Sequence, residues 1–318
     1  MKFLLTLLAI LTLSGGNAFA QEYPDKAVRL ITPYGPGGST GVVARAISQK
    51  FQEFTGQPMV VDHRPGGGSN IGSDMAAKAA PDGYTLLLGA SALAINRSLF
   101  RNMAFDAMKD LAPITLLIRT PNVLAVHPSV PVKSVKELID YLRANPDKLN
   151  YGSSGNGATN HMAMELFKTL AKVKIQHVPY KGGGEAMLAL LGGHVQILFN
   201  PASTLAPQDK AGRLRMIGVG SNKRVEGLDL PTVAESGLPG FESDVWFGLF
   251  APAGTPPNVL AKLNQTINRV LKDKQVVEIL KTAGFEPAGG TAEQMHKLLA
   301  DDTARWAEVV KATGAKID

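Results

Sequence analysis

The chain has 318 residues, 45% of them hydrophobic and 19% charged, with a formal net charge of +6 and no cysteine. Zero cysteine excludes disulfides, thiolate catalysis, Cys-based zinc sites and lipid attachment through an N-terminal Cys. No run of Lys or Arg exceeds two residues, so the charge forms no basic stripe for nucleic acid and sets up at most a mild field favouring an anionic ligand.

Lys2 supplies a positive start, and residues 3–13 are apolar apart from Thr6 and Thr12. Ala18-Phe19-Ala20 then forms an A-x-A cleavage signature before Gln21. This pattern predicts a secretory signal peptide over 1–20. The apolar run is too short to span a bilayer, which takes about 20 residues. The mature chain is expected in the periplasm, relying on its core alone.

One unit then repeats: buried strand, Gly-rich turn, helix. A strand over 28–34 runs into Gly35-Pro36-Gly37-Gly38-Ser39-Thr40, and a helix follows with Val43, Ile47, Phe51 and Phe54 on one face. A strand over 59–64 enters Pro65-Gly66-Gly67-Gly68-Ser69-Asn70 and a helix carrying Ile71, Met75 and Ala79. After the turn Pro81-Asp82-Gly83, a third strand over 84–89 ends at Ala90-Ser91. Residues 111–126 form a long extended apolar segment interrupted at Arg119-Thr120-Pro121-Asn122. Ser134-x-x-Glu137 is a capping box opening a helix.

The unit returns at 149–151, which enters Gly152-Ser153-Ser154-Gly155-Asn156-Gly157 before a helix with Met162, Leu166, Phe167 and Leu170. It returns again at 175–178, entering Pro179-Tyr180-Lys181-Gly182-Gly183-Gly184 before a helix with Met187, Leu190 and Leu191. Strands over 195–199 and 214–219 end in Asn200-Pro201-Ala202-Ser203 and Gly220-Ser221. A second long extended segment, 243–252, precedes two helices, the last opened by the capping box Thr291-x-x-Gln294 and carrying Met295, Leu298, Leu299, Trp306, Val309 and Val310 as core contacts.

Alternating strands and helices imply an α/β protein with mostly parallel sheets covered on both faces. The units fall into two sets joined by two long crossing strands, the arrangement of a hinged clamshell. Lobe 1 is expected over 21–120 plus 247–318, and lobe 2 over 121–246. In such sheets ligands bind beyond the carboxyl ends of the strands. A helix start there offers unpaired N–H groups and about +0.5 of partial charge, and Gly lets the backbone come close. Several such turns facing one cleft form an anion cradle without Arg or Lys.

The hydroxyl and amide groups of Ser39, Thr40, Ser69, Ser153, Ser154, Asn156 and Thr159 would line that cradle. The loop and strand-end neighbours Tyr34, Gly37, Gly38, Gly67, Asn70, Ser91, His161, Tyr180 and Asn200 complete the candidate binding set. Phosphate motifs fail: Thr40 stands where G-x-G-x-x-G needs its last Gly, and there is no G-x-x-x-x-G-K-[ST]. Gly152-Ser153-Ser154-Gly155-Asn156 departs from G-x-S-x-G at its final position. The six His show no metal-pair spacing. No catalytic constellation, cofactor or metal is expected.

Eight stretches together resemble the tripartite tricarboxylate transporter receptor family, also called the Bug family of periplasmic solute-binding proteins. They are Tyr23-Pro24, Pro36-Gly37-Gly38-Ser39-Thr40, Arg64-Pro65-Gly66 with Asn70-Ile71-Gly72, Ala79-Ala80-Pro81-Asp82-Gly83-Tyr84-Thr85-Leu86, Leu149-Asn150-Tyr151-Gly152-Ser153-Ser154-Gly155-Asn156-Gly157, His177-Val178-Pro179-Tyr180-Lys181-Gly182, Pro231-Thr232-Val233-Ala234-Glu235-Ser236-Gly237, and Trp246-Phe247-Gly248-Leu249. The resemblance implies a two-lobe Venus-flytrap fold. It also implies capture of a small carboxylate by a monomer and its delivery to a two-subunit membrane permease. It places the ligand carboxylate against Gly37, Gly38, Ser39 and Thr40 in lobe 1 and Ser153, Ser154, Asn156 and Thr159 in lobe 2.

The chain departs from the family's frequent Asp at Gly41 and at Asn200, which suits a more anionic ligand or an uncharged aromatic part. Two alternatives stay open on the sequence: a sensory module presenting ligand to a kinase, and a hydrolase using Ser154.

Overall fold

Apolar side chains alternate between both faces of the central strands, and that decides the layering. The computed structural model describes residues 23–317; the expected signal peptide, 1–20, lies outside them. The first lobe holds strands β1 (Val28–Thr32), β2 (Met59–His63), β3 (Thr85–Ala90) and β9 (Asp244–Pro252), with the first part of β4 (Leu111–Val126). On one face Leu30, Leu86, Leu88, Phe247 and Leu249 enter one core cluster, while Ile31, Leu87, Trp246 and Phe250 enter another on the opposite face. This is the period of two expected of a sheet buried on both sides.

Helices α1 (Ser39–Thr55), α9 (Pro257–Lys272) and α10 (Lys274–Thr282) cover the first face through Val43, Ile47, Phe51, Leu263, Ile267 and Leu280. Helices α2 (Asn70–Ala77), α3 (Ala92–Leu99) and α11 (Ala292–Thr313) cover the second, and a short helix, α4 (Ala107–Asp110), leads into β4. Each fully buried Leu, Ile or Phe contributes about 1.5–3 kcal/mol.

The second lobe repeats the plan with β5 (Asn150–Ser153), β6 (Gln176–Pro179), β7 (Ile197–Pro201), β8 (Arg215–Val219) and the end of β4. Leu124, Val126, Ile197 and Phe199 face α5 (Val135–Ala144) and α6 (Thr159–Ala171). Val123, Ala125 and Leu198 face α7 (Gly183–Leu191) and α8 (Ala202–Lys210). A two-residue strand, β10 (Glu286–Pro287), pairs with β4.

The strand order is β2-β1-β3-β9-β4-β7-β5-β6, with β8 also on β4. Strand β4 changes partners inside the stretch read as an interruption: Pro121 pairs with Asp244 of β9, and the next residue, Asn122, pairs with Pro201 of β7. The chain returns close by, where Ser243 N donates to Gly220 O (2.8 Å) and Gly220 N to Asn122 O (2.6 Å). A Cβ on Gly220 would stand 2.7 Å from Ser243 O, so the crossing admits no side chain there.

Four expectations differ. The sheet is mixed rather than mostly parallel, because β4 and β9 run antiparallel to their neighbours. Three helices, not two, follow β9. Helices α3 and α8 escaped the sequence pattern: α3 follows β3 with only Ser91 between two apolar runs, and α8 contains Pro207. Ile71, one of the apolar residues assigned to α2, is 55% exposed, because the helix packs through Ala76. Among the described residues, no helix is long and apolar enough to cross a membrane.

Candidate functional site

A narrow cleft lies between the lobes, and the starts of four helices line it. Gly38, Ser39 and Thr40 come from the start of α1; Ala158, Thr159 and Asn160 from α6; Gly183 from α7; and Pro201, the residue before α8. None of these four helices has a side-chain N-cap. Of the helices whose starts lie elsewhere, those opened by Asp106, Ser134, Asp273 and Thr291 carry side-chain caps, and those opened by Ser69, Ser91 and Pro256 do not. First-turn N–H groups that no side chain occupies are the donors an anion needs.

The rest of the wall is Tyr34, Ala90, Asn122, Ser154, Asn200, Val245 and Phe247. No lining residue carries a charge. Burial pushes the Tyr34 phenol up to about 12, so it stays a neutral hydrogen-bonding group. Asn160 holds Ser154 from both sides, its Oδ1 accepting from Ser154 N and its Nδ2 donating to Ser154 Oγ, each at 3.0 Å. Asn200 Nδ2 donates to Thr204 Oγ1 at 2.9 Å and to Gly183 O at 3.3 Å. At Gly41, a Cβ would lie 2.1 Å from Pro36 O, so the first Gly loop folds onto α1 in a way that only Gly at 41 allows.

The lobes touch through backbone. Gly35 N donates to Lys181 O at 3.3 Å. A Cβ on Gly38 would stand 3.6 Å from Gly184 N, and one on Gly184 only 2.7 Å from Gly37 C and O. Gly68, at φ +60°, leaves room for Asn156 O, which a Cβ would meet at 1.7 Å. The free space between the loops is about 50 Å³, a closed arrangement.

The structure therefore brings together Tyr34, Gly38, Ser39, Thr40, Ser154, Thr159 and Asn200 of the expected set. Gly37, Gly67 and Asn156 are exposed and Asn70 half-buried; they fall outside the lining. Ser69, Ser91, Ser153, His161 and Tyr180 also fall outside it. Ser91 Oγ accepts from Trp246 N at 2.9 Å and braces β9. Ser153 Oγ and His177 Nε2 lie 2.6 Å apart, and Ser153 Oγ accepts from Gly155 N. His161 stacks on His177 with ring centroids 4.2 Å apart, and its Nδ1 accepts from Gly157 N at 3.2 Å. These rings hold the Gly155–Gly157 turn from beneath. Burial keeps both imidazoles neutral, His161 down to about 4 and His177 down to about 3. Tyr180 packs beside Gly152.

Ala90, Asn122, Ala158, Asn160, Gly183, Pro201, Val245 and Phe247 line the cleft and were missed. Asn160 carried a signal, lying one residue beyond Thr159, and Gly183 stands in the Gly182-Gly183-Gly184 turn that opens a helix; Asn122 sits in a long strand and carried none, and Phe247 stood only in a stretch of family resemblance. Among the described residues, no group of three or more His, Asp or Glu could hold a metal.

Residues 43–315 match the family described as "Tripartite tricarboxylate transporter family receptor". The chain is 36% identical to Protein BugT of Bordetella pertussis over 100% of its own length and 99% of that protein's. An R. palustris protein solved with adipate superposes at TM-score 0.89 with 37% identity, covering 93% of this chain and 100% of that one. MatC from Rhodopseudomonas palustris, solved with bound malate, superposes at 0.87 with 31% identity over 91% and 100%.

Proposed function

This chain belongs to the tripartite tricarboxylate transporter receptor family, and from that premise we propose that it is a periplasmic receptor that captures a small carboxylate and hands it to a two-subunit membrane permease. The family is one of solute-binding receptors rather than enzymes, so no hydrolytic role is assigned to Ser154. The observation that carries the proposal is the set of four uncapped helix starts on a wall without a charged side chain.

An ionised carboxylate accepts only, and this wall offers backbone N–H and neutral donors. A ligand ammonium would find no carboxylate there. The chemical class is a di- or tricarboxylate or an aromatic acid, with the apolar face of Phe247 and Val245 available to the carbon skeleton. We assign lobe 1 to 21–120 plus 247–318 and lobe 2 to 121–246, the lobes closing as a monomer about the two crossings. Because the closed cleft has about 50 Å³ of free space, entry requires the lobes to part, and the ligand stabilises closure by its differential affinity.

The test is a thermal-shift panel of adipate, malate, citrate, benzoate and cationic amino acids. A ligand at 100 times its Kd adds about 2.7 kcal/mol of stability. Stabilisation by the amino acids alone, with none from the acids, would overturn the carboxylate reading. Cell fractionation tests the location, and a solute-uptake defect on deletion tests the delivery role.

A further inference from the structure

One fully buried polar atom in the cleft wall has no partner within the protein. Asn122 lines the cleft and is fully buried, and its Oδ1 makes no hydrogen bond. Its Nδ2 donates to Ser243 Oγ at 3.2 Å. Ser243 is also fully buried. An orphaned buried amide oxygen calls for an explanation, because almost all such atoms are satisfied. Asn122 is also the first residue of β4 to pair with lobe 2, directly after the last one paired with β9. Its carbonyl accepts from Gly220 N at the second crossing. One residue thus touches the cleft and both crossings.

We infer that Asn122 is a ligand-binding residue at the hinge, whose side-chain amide hydrogen-bonds a carboxylate oxygen of the solute where the two lobes cross. This rests on the carboxylate-receptor reading above. The Ser243 hydroxyl can donate or accept, so the amide can turn over and keep its brace. Oδ1 then accepts from Ser243, and Nδ2 donates into the cleft. The amide orientation is set by the network around it, and a carboxylate, which only accepts, selects this one. The neighbouring wall residues at the crossing, Ala90, Val245 and Phe247, offer no side-chain donor, so Asn122 reads a polar group that the helix starts do not.

Calorimetric titration with adipate and malate tests this on the wild type, Asn122→Ala, Ser243→Ala and Asn122→Asp. Loss of a hydrogen bond to a charged group weakens binding on the order of 10- to 100-fold in Asn122→Ala. Ser243→Ala removes the brace but leaves the amide, and stays within about threefold of wild type. Asn122→Asp binds worse at pH 8 than at pH 5, because burial raises its carboxyl pKa and only the protonated form donates. A residue that merely braced the hinge would create no such pH dependence. Wild-type affinity in Asn122→Ala, or equal losses in Asn122→Ala and Ser243→Ala, overturns the inference alone. A wild type that binds no acid of the panel overturns the carboxylate reading together with it.

Discussion

Gly184 separates closure of the lobes from stability of the fold. It lies in the first turn of α7, and its backbone is not in the left-handed region, so Ala suits it conformationally. Ala in place of Gly within a helix gains up to about 1 kcal/mol. The added Cβ would nevertheless lie 2.7 Å from Gly37 C and O and 3.2 Å from Gly37 Cα, across the cleft. Ordinary contact begins at 3.4 Å, so the loops must separate by about 0.7 Å. Backbone stands on the far side, and no rotamer can relieve the overlap. Overpacking of this kind costs about 1–3 kcal/mol, and only the closed form bears it. Gly184→Ala should therefore weaken binding of adipate or malate about 5- to 150-fold, while the melting temperature without ligand holds or rises. Gly37→Ala is the control: nothing lies within 4 Å of its Cβ, and its affinity should stay near wild type. Calorimetry and differential scanning calorimetry read both quantities. Unchanged affinity in Gly184→Ala would mean that the loops do not meet in the bound form. A melting temperature lowered by several degrees would mean that Gly184 serves the fold.

The buried imidazoles set a pH response. Burial holds His161 at about 4 and burial with its positive neighbours holds His177 at about 3, both below the ordinary 6.5, so the unfolded chain binds the extra protons. The stabilisation is complete above about pH 6.5 and is lost as pH falls from there toward 4. His161 alone accounts for about 2 kcal/mol by pH 5, and a denaturant titration that is flat between pH 7.5 and 5 refutes this. Asp244 acts in the opposite sense: burial, with Glu242 nearby, pushes it up to about 6. Its contribution is present below about 3.8 and lost as pH rises through 6, so Asp244→Asn should gain up to about 3 kcal/mol at pH 7.5, and a loss there would count against it. Asp302 ties α11 to β9, accepting from Trp246 Nε1 at 2.6 Å and from Arg305 at 2.8 and 3.0 Å. Asp302→Ala should cost about 2–4 kcal/mol in a denaturant titration; a change within experimental error would show the brace to be dispensable.

The order of strand, Gly-rich turn and helix was legible in the chain because each unit is decided within a few residues: period-two burial in Leu30, Ile31 and Leu86–Leu88, and caps at Ser134 and Thr291. The same locality made the binding chemistry legible, since uncapped helix starts after Gly37-Gly38 and Gly157-Ala158 are properties of adjacent residues. The antiparallel course of β4 and β9, the meeting of Gly184 with Gly37, and the place of Asn122 in the cleft depend on residues 120 or more positions apart. No periodicity records such pairings. They follow from the order in which the ten strands of the described residues pair, and only the folded chain decides that order.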